Sequence, residues 1–278
     1  MLAQEFRTAF DVFERSSAEL APVVEAVAEA VRCGRRVHLF GAGTSGRLAA
    51  LDAAELPPTF GIEPDVFEVH LAGGSDAMTA AIEGAEDDVD AGDRAGQSLT
   101  TGDVAIGLTA SGRTPFVLAA LASAKNRGAF TVQLDCNQTA ASLADCHDTF
   151  DTGPEPIAGS TRLNAATAQK LALNAISTLA MVHVGRTYSN LMVCVQPNNS
   201  KLRSRLTSIL QEITGATAAE VGDALEAADQ HGRVALAMLT HGWDRARAER
   251  VLAASADLRS VLGPIEGSAI DRGWPDSS

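Results

Sequence analysis

The stretch Gly41-Ala42-Gly43-Thr44-Ser45-Gly46-Arg47 decides the fold, because it joins the apolar run at 37–40 to a segment rich in alanine and leucine. This order predicts a strand, a glycine loop and a helix. The backbone N–H groups at the start of such a helix carry a partial positive charge, so they favour an anion, most often a phosphate. The loop therefore predicts a phosphate-binding site.

The same glycines match the dinucleotide-binding pattern G-x-G-x-x-G, so a nicotinamide cofactor has to be weighed first. A dinucleotide site also needs an acidic residue at the end of the second strand, but the candidate strand at 66–71 ends in Leu71. In addition, the hydroxyls of Thr44 and Ser45 beside Arg47 suit a compact sugar phosphate better than a pyrophosphate. The pattern therefore favours a sugar phosphate.

The composition limits the partners of the protein. The chain has 278 residues, 46% of them hydrophobic, which is enough for a full core and a small second domain. Its net charge of -13 argues against nucleic acid as a partner, because binding a phosphate backbone requires an excess of basic residues. An anionic ligand must then be held by local donors, and three arginines stand in segments rich in glycine, serine and threonine: Arg47, Arg113 and Arg162.

Cysteine, histidine and apolar patterns give no sign of a metal or a membrane. The four cysteines form no C-x-x-C pair, and neither they nor the six histidines show the spacing of a metal site. We therefore expect reduced thiols, structural or surface histidines, and no metal. The chain opens with no charged and apolar leader, and the longest apolar helix, at 165–184, contains Gln169 and Lys170. These features predict a cytoplasmic protein that does not bind membranes.

Apolar runs and helical patterns alternate along most of the chain. A helix at about 12–31 precedes strand candidates at 37–40, 66–71, 104–108 and 131–134, with a weaker one at 148–151. This alternation predicts an α/β fold, a doubly wound parallel sheet flanked by helices, with ligands at the carboxyl ends of the strands. We expect a first domain at 1–214, a small module of three helices at 215–262 and a flexible tail at 263–278.

Two further polar loops precede predicted helices. The third strand runs into a loop with Ser111, Gly112, Arg113 and Thr114, and another loop with Ser160, Thr161 and Arg162 precedes the long helix. Serine and threonine at these places are also ordinary helix caps, and that explanation stays open for each loop. The glycine loop and the loop of Ser111 follow neighbouring predicted strands, and these two loops together favour a bound ligand.

Five blocks of sequence resemble the sugar isomerase (SIS) domain and, within it, the N-acetylmuramic acid 6-phosphate etherases. The resemblance covers about 21–262 and rests on GAGTSGRLAALDAAELPPTFG (41–61), LAGGSDAMTAAIEGAEDD (71–88), ASGRTPFV (110–117), GPEPIAGSTRLNAATAQKLALN (153–174) and NLMVCVQPNNSKL (190–202). It implies a flavodoxin-like SIS domain followed by a small UBA-like helical module.

The same resemblance implies an activity. Members cleave the D-lactyl ether of N-acetylmuramic acid 6-phosphate by elimination and hydration, in the recycling of cell-wall amino sugars. They use no cofactor and form homodimers in which the second subunit completes the site. Glu55 matches the acid that protonates the departing lactate, and Glu86 matches the base that removes the C2 proton. The positions that match the sugar phosphate site are Thr44, Ser45, Ser111, Gly112 and Thr114, with Arg47 and Arg113 adding charge and Ser160, Thr161 and Arg162 forming a further polar loop.

The implied elimination is consistent with two catalytic carboxyl groups. Removal of a proton from carbon needs a base, and departure of an alkoxide-like leaving group needs an acid. Both roles at neutral pH require one carboxyl to keep its proton, which differing burial would arrange. The plain alternative for Glu86, in the acidic run at 83–88, is a solvated helix face.

Two departures from the family pattern keep other functions open. Asn164 stands where the family carries a lysine, and the polar N-terminal segment of the family is expected to be missing. An isomerase would need one base to move a proton between C1 and C2 and no acid for a leaving group. A regulator similar to the glucokinase regulatory protein would bind the phosphosugar without turnover.

Overall fold

The computed structural model describes residues 2–138, 141–255 and 258–263, with side chains from residue 7 onward. The chain divides into two compact units. The first takes in Met1–Glu55 and Pro64–Ala180, and the second takes in Leu56–Glu63 and Met181–Ser278.

The first unit contains a parallel sheet of five strands, which confirms the predicted fold class. The strands are β1 (Val37–Gly41), β2 (Phe67–Leu71), β3 (Val104–Thr109), β4 (Phe130–Asp135) and β5 (Cys146–Thr149), in the spatial order β2-β1-β3-β4-β5. Every residue of β1 and β3 is buried, as expected for central strands that are covered on both faces. The weak strand predicted at 148–151 is β5 and begins two residues earlier.

The pairing of the strands places the loops. Gly41 at the end of β1 lies opposite Leu71 of β2 and Leu108 of β3, so the carboxyl ends of these three strands meet at one edge. The strand order reverses between β1 and β3, and ligands of doubly wound sheets bind at such a switch point. The glycine loop and the loop of Ser111 follow these two strands.

The helices that begin in the first unit are α1 (Leu2–Ser16), α2 (Ala21–Arg32), α3 (Gly43–Phe60), α4 (Val89–Gly96), α5 (Pro115–Asn126) and α6 (Asn164–His183). The single helix predicted at 12–31 is wrong, because a 3₁₀ turn at Ser17–Leu20 separates α1 from α2. Two adjacent serines weaken a helix interior, and Pro22 fits only the first turn of the next helix, where its missing N–H costs nothing.

The second unit contains α7 (Ser200–Thr214), α8 (Ala218–Ala227), α9 (Gly232–His241), α10 (Arg245–Ala254) and α11 (Leu258–Leu262). The three helices predicted after residue 215 correspond to α8, α9 and α10. Leu206 and Leu210 of α7 are fully buried in the same core as Leu225 and Leu236. The predicted domain boundary at 214 and 215 stays a prediction, and α7 shares its core with the helices that follow. The predicted tail at 263–278 lies beyond the described residues except for Gly263.

Turn chemistry explains where the helices of the second unit begin and end. Thr217 and Glu220 form a reciprocal capping box at the start of α8. Gly242 adopts a left-handed conformation after α9, and the Asp244 side chain accepts a hydrogen bond from Arg247 N to start α10. Among the described residues, no helix is long and apolar enough to cross a membrane.

Candidate functional site

The glycine loop ties two helices together. Ser45 is buried in the first turn of α3, and its hydroxyl donates to Oε1 of Gln169 in α6 at 2.8 Å. Thr44 is half-buried and has no hydrogen-bond partner among the described side chains. Of the two hydroxyls predicted for the phosphate, Thr44 is therefore the free donor, and Ser45 holds the loop against α6.

Arg47 contacts protein carbonyl groups. Its Nε donates to the carbonyl oxygens of Ala77 at 2.8 Å and Met78 at 3.1 Å, and one Nη donates to that of Ala80 at 2.8 Å. The guanidinium group therefore fastens the segment after β2 beside the glycine loop. The phosphate contact predicted for Arg47 stays a prediction.

The second loop is held by hydroxyl contacts. Thr114 Oγ1 lies 2.8 Å from Thr109 Oγ1, and the Ser111 hydroxyl accepts from Arg113 N at 3.2 Å. Gly112 has a φ of +70°, a left-handed value that glycine adopts without strain. Thr114 is the N-cap residue of α5, but its side chain makes no capping bond. Ordinary helix capping therefore does not explain why a residue with a hydroxyl group stands at position 114.

A buried carboxylate that the sequence analysis missed supports this loop. Asp135, fully buried at the end of β4, accepts hydrogen bonds from Gln133 Nε2 at 2.8 Å and Thr149 Oγ1 at 2.9 Å. His147 Nε2 lies 2.7 Å from the same carboxylate. Asp135 also accepts from the N–H of Asn137, whose side chain donates to the carbonyl of Ser111 at 3.1 Å. Through Asn137, this network holds the backbone of the second loop in place. The sequence signal that could have identified Asp135 is a charged residue at the end of an apolar strand.

The third polar loop does not cap the helix after it with its hydroxyls. The carboxylate of Glu155 accepts from Asn164 N at 2.8 Å and Ala165 N at 3.0 Å, so Glu155 caps α6. Thr161 and Arg162 are exposed, and Ser160 is half-buried. The side chain of Asn164, where the family carries lysine, is only 1% exposed, and neither of its amide atoms has a partner among the described residues.

The two glutamates occupy different places. Glu86 is exposed on a 3₁₀ turn at Ala85–Asp87, in the segment that follows β2. Its neighbour Asp88 caps α4 by accepting from Ala91 N at 2.8 Å. Glu55 is also exposed, but it lies just over three turns along α3, about 18 Å from Gly43 at the rise of an α-helix. The expected difference in burial is therefore not present within one chain.

Comparison with known proteins shows the family of this chain. The family model of the glucokinase regulatory protein N-terminal SIS domain matches residues 19–125. The N-acetylmuramic acid 6-phosphate etherase of Thermobifida fusca is 52% identical over 223 residues, which cover 80% of this chain and 73% of that protein. The chain belongs to the N-acetylmuramic acid 6-phosphate etherase family. The etherase of Geobacillus thermodenitrificans is 44% identical over 268 residues, covering 94% of this chain and 90% of that protein.

A solved structure is also similar to this etherase-family chain. The sugar isomerase domain of an RpiR transcription factor from Sphaerobacter thermophilus is 18% identical, with a TM-score of 0.46, and covers 77% of this chain and 98% of that one.

An ion pair stiffens the helix that carries Glu55 in this member of the etherase family. Lys170 Nζ of α6 donates to the buried Asp52 of α3 at 3.0 Å and to Asn174 Oδ1 at 2.5 Å. With the Ser45–Gln169 hydrogen bond, this is the second polar contact between α3 and α6. Asp52 and Lys170 are thereby assigned to the contact between α3 and α6.

The second unit has its own cavity, of about 580 Å³, in which no predicted site residue lies. Arg186, Cys194 and Arg233 are among the residues that line it. Burial raises the pKa of the Cys194 thiol to about 11, so the thiol is protonated and unreactive at neutral pH.

Proposed function

We propose that this chain cleaves the ether between D-lactate and C3 of N-acetylmuramic acid 6-phosphate, releasing N-acetylglucosamine 6-phosphate, and so acts as a carbon–oxygen lyase. The observation that carries this proposal is the 52% identity over 223 residues with a relative named for that activity. Two polar loops at the switch point of the sheet support it, because such crevices hold phosphorylated ligands.

The phosphate is held, in this proposal, where α3 begins. The first N–H groups of α3, the hydroxyl of Thr44 and the hydroxyls of Ser111 and Thr114 supply neutral donors. The exposed guanidinium groups of Arg113 and Arg162 have no ion-pair partner among the described residues, so both remain available to the anion. Arg47 and Asp135 act as positioning residues, since each holds a loop in place.

The chemistry requires one base and one acid. Opening of the sugar ring exposes an aldehyde at C1, which acidifies the proton on C2. Glu86 takes that proton, and the electron pair is first held as an enolate of the C1 aldehyde; it then forms the C2–C3 double bond as the C3–oxygen bond breaks. Glu55 gives a proton to the departing lactate oxygen, which leaves an unsaturated aldehyde. Water then adds its hydroxyl at C3 and a proton returns to C2, which restores an N-acetylglucosamine 6-phosphate.

A second copy of the chain supplies Glu55 in this proposal. The length of α3 carries Glu55 away from the glycine loop of its own chain, and Leu51, one turn earlier, is 50% exposed. Exposed apolar side chains also stand near Glu86 in the sequence: Met78, Ile82 and Val89. Two apolar surfaces beside the two glutamates fit a symmetric dimer, in which each site combines Glu86 of one copy with Glu55 of the other.

Mixing two inactive variants tests that arrangement. Refolding Glu55→Gln together with Glu86→Gln should restore activity, because each mixed dimer then has one site with both glutamates intact. Each variant refolded alone is the control and should stay inactive. If the mixture stays inactive although mixed dimers are detected by a tag on one variant, both glutamates act within one chain.

Turnover of N-acetylmuramic acid 6-phosphate in deuterated water tests the activity itself. NMR should detect free lactate together with deuterium at C2 of the product, because removal and return of the C2 proton are separate steps. Deuterium at C2 without lactate would contradict the etherase and indicate an isomerase. Binding without either signal would indicate a regulator that holds the phosphosugar.

A further inference from the structure

Two histidines and a glutamate from neighbouring strands meet beside the core of the sheet. In the pairing of β1 with β2, His38 lies opposite Glu68 and Phe40 lies opposite His70, so all four side chains share one face. His38 Nδ1 lies 3.0 Å from His70 Nε2. Glu68 places one carboxylate oxygen 3.8 Å from His38 Nδ1 and the other 3.7 Å from His70 Nε2. We call these three residues the His38–Glu68–His70 cluster.

Burial of the two histidines favours the neutral imidazole, which is the form that binds metals. His38 is 2% exposed, and burial lowers its pKa to about 4. Burial also lowers the pKa of His70, although the Glu68 carboxylate opposes that shift. The 3.0 Å contact between the two rings is a hydrogen bond in which one of the facing nitrogens carries the proton, so metal binding has to move that proton to the far nitrogen of its ring.

The distances suit a small tetrahedral ion. Zinc binds histidine nitrogen and carboxylate oxygen at about 2.0–2.2 Å, so two ligand atoms on a tetrahedral zinc lie about 3.3 Å apart. The present separations of 3.0, 3.7 and 3.8 Å bracket that value, so each side chain has to move by only a few tenths of an ångström. A cavity of about 370 Å³ lined by His38 and Glu68 leaves room for a water molecule as fourth ligand.

We propose that the His38–Glu68–His70 cluster binds a divalent transition metal, with zinc as the best fit. The ligands are Nδ1 of His38, Nε2 of His70 and the carboxylate of Glu68. His38 stands three residues before Gly41, about 10 Å along the strand from the glycine loop. His70 lies opposite Phe40, next to Gly41, but none of the three cluster residues is a proposed catalytic or substrate-binding residue, so the metal proposal does not depend on the etherase reaction.

The surroundings set the strength of binding. Arg36 lies 3.9 Å from Glu68 Oε2 and competes with the metal for that carboxylate, although Arg36 also pairs with Asp65 at 2.8 Å. A metal on Nδ1 fixes the proton of His38 on Nε2, and the described residues offer that buried atom no acceptor. Loss of such an outer partner costs about 10–100-fold in metal affinity. We therefore expect micromolar affinity and not the tighter binding of a structural zinc site.

Cobalt titration of the full chain, stripped of metal with a chelator, tests the proposal. One equivalent of Co²⁺ per chain should give the intense visible absorption of a tetrahedral site, and Zn²⁺ should displace it. Glu68→Gln should weaken binding about 10-fold or more, because Glu68 is 43% exposed in its side chain and its replacement leaves the core intact. His70→Asn should abolish the absorption.

The matched control is His183→Asn, which removes an exposed histidine elsewhere in the chain. This variant should bind Co²⁺ as the unaltered chain does. Zinc should also raise the melting temperature of the unaltered chain and of His183→Asn, and at the same zinc concentration should raise that of Glu68→Gln by clearly less. The proposal is overturned if no saturable tetrahedral absorption develops, or if a folded Glu68→Gln binds Co²⁺ as tightly as the unaltered chain.

Discussion

Replacing Glu86 by glutamine is expected to abolish both lactate release and exchange of the C2 proton. Glutamine keeps the size and polarity of the side chain but cannot take a proton from carbon. A positioned general base contributes about 10²–10⁴-fold to a rate, so the loss should be of that order. Both signals are read in one NMR experiment with N-acetylmuramic acid 6-phosphate in deuterated water.

The control for this variant is Glu83→Gln. Glu83 is exposed in the same acidic segment, three residues earlier, so its replacement makes the same change of charge nearby. Asp88 is unsuitable, because its carboxylate caps α4. Glu83→Gln should keep full activity. If Glu86→Gln also kept it, the acidic segment would be the solvated surface that its composition allows, and Glu86 would have no part in the reaction.

Glu55→Gln is expected to separate the two signals. Without the acid, lactate cannot leave readily, but Glu86 still removes and returns the C2 proton. Deuterium should therefore enter C2 of the unreacted substrate while lactate release is lost. Loss of both signals in Glu55→Gln would place Glu55 in binding or in the dimer interface, and would remove it from the role of acid.

The sequence was sufficient to locate the candidate site because the deciding signals are local. A strand, a glycine loop and a helix follow one another within a few residues, and the carboxyl ends of parallel strands meet at one edge whatever the rest of the chain does. The positions of the loops after β1 and β3 followed from that rule. The family resemblance added the two glutamates, whose roles stay predictions.

Long-range contacts were the part that the sequence did not reveal. His38 and His70 are far apart in the chain, and only the pairing of β1 with β2 brings their rings together. The capping of α6 by Glu155 and the network around Asp135 likewise depend on how separate segments meet. The contacts of Arg47 are long-range in the same way, since three carbonyl groups of another segment receive its N–H groups.

Gly41→Ala is expected to destabilise the protein strongly, because a methyl group at this position has no space. A Cβ on Gly41 would lie 2.6 Å from the backbone nitrogen and 2.7 Å from the Cα of Gly46. Backbone atoms cannot turn aside as a side chain can, so the contact forces the end of β1 away from α3. Overpacking typically costs about 1–3 kcal/mol, and this rigid contact should lie at the upper end of that range. Urea unfolding measures the loss.

Gly43→Ala is the comparison that isolates the cause. A Cβ on Gly43 meets no atom within 4 Å, although its φ of +53° imposes a backbone strain of about 1 kcal/mol on alanine. Gly41→Ala should therefore lose clearly more stability than Gly43→Ala. If the two variants lost the same amount of stability, backbone conformation alone would explain why glycine occurs at both positions. The larger loss at Gly41 would mean that Gly41 and Gly46 serve the contact between strand and helix, so that G-x-G-x-x-G occurs here without a dinucleotide.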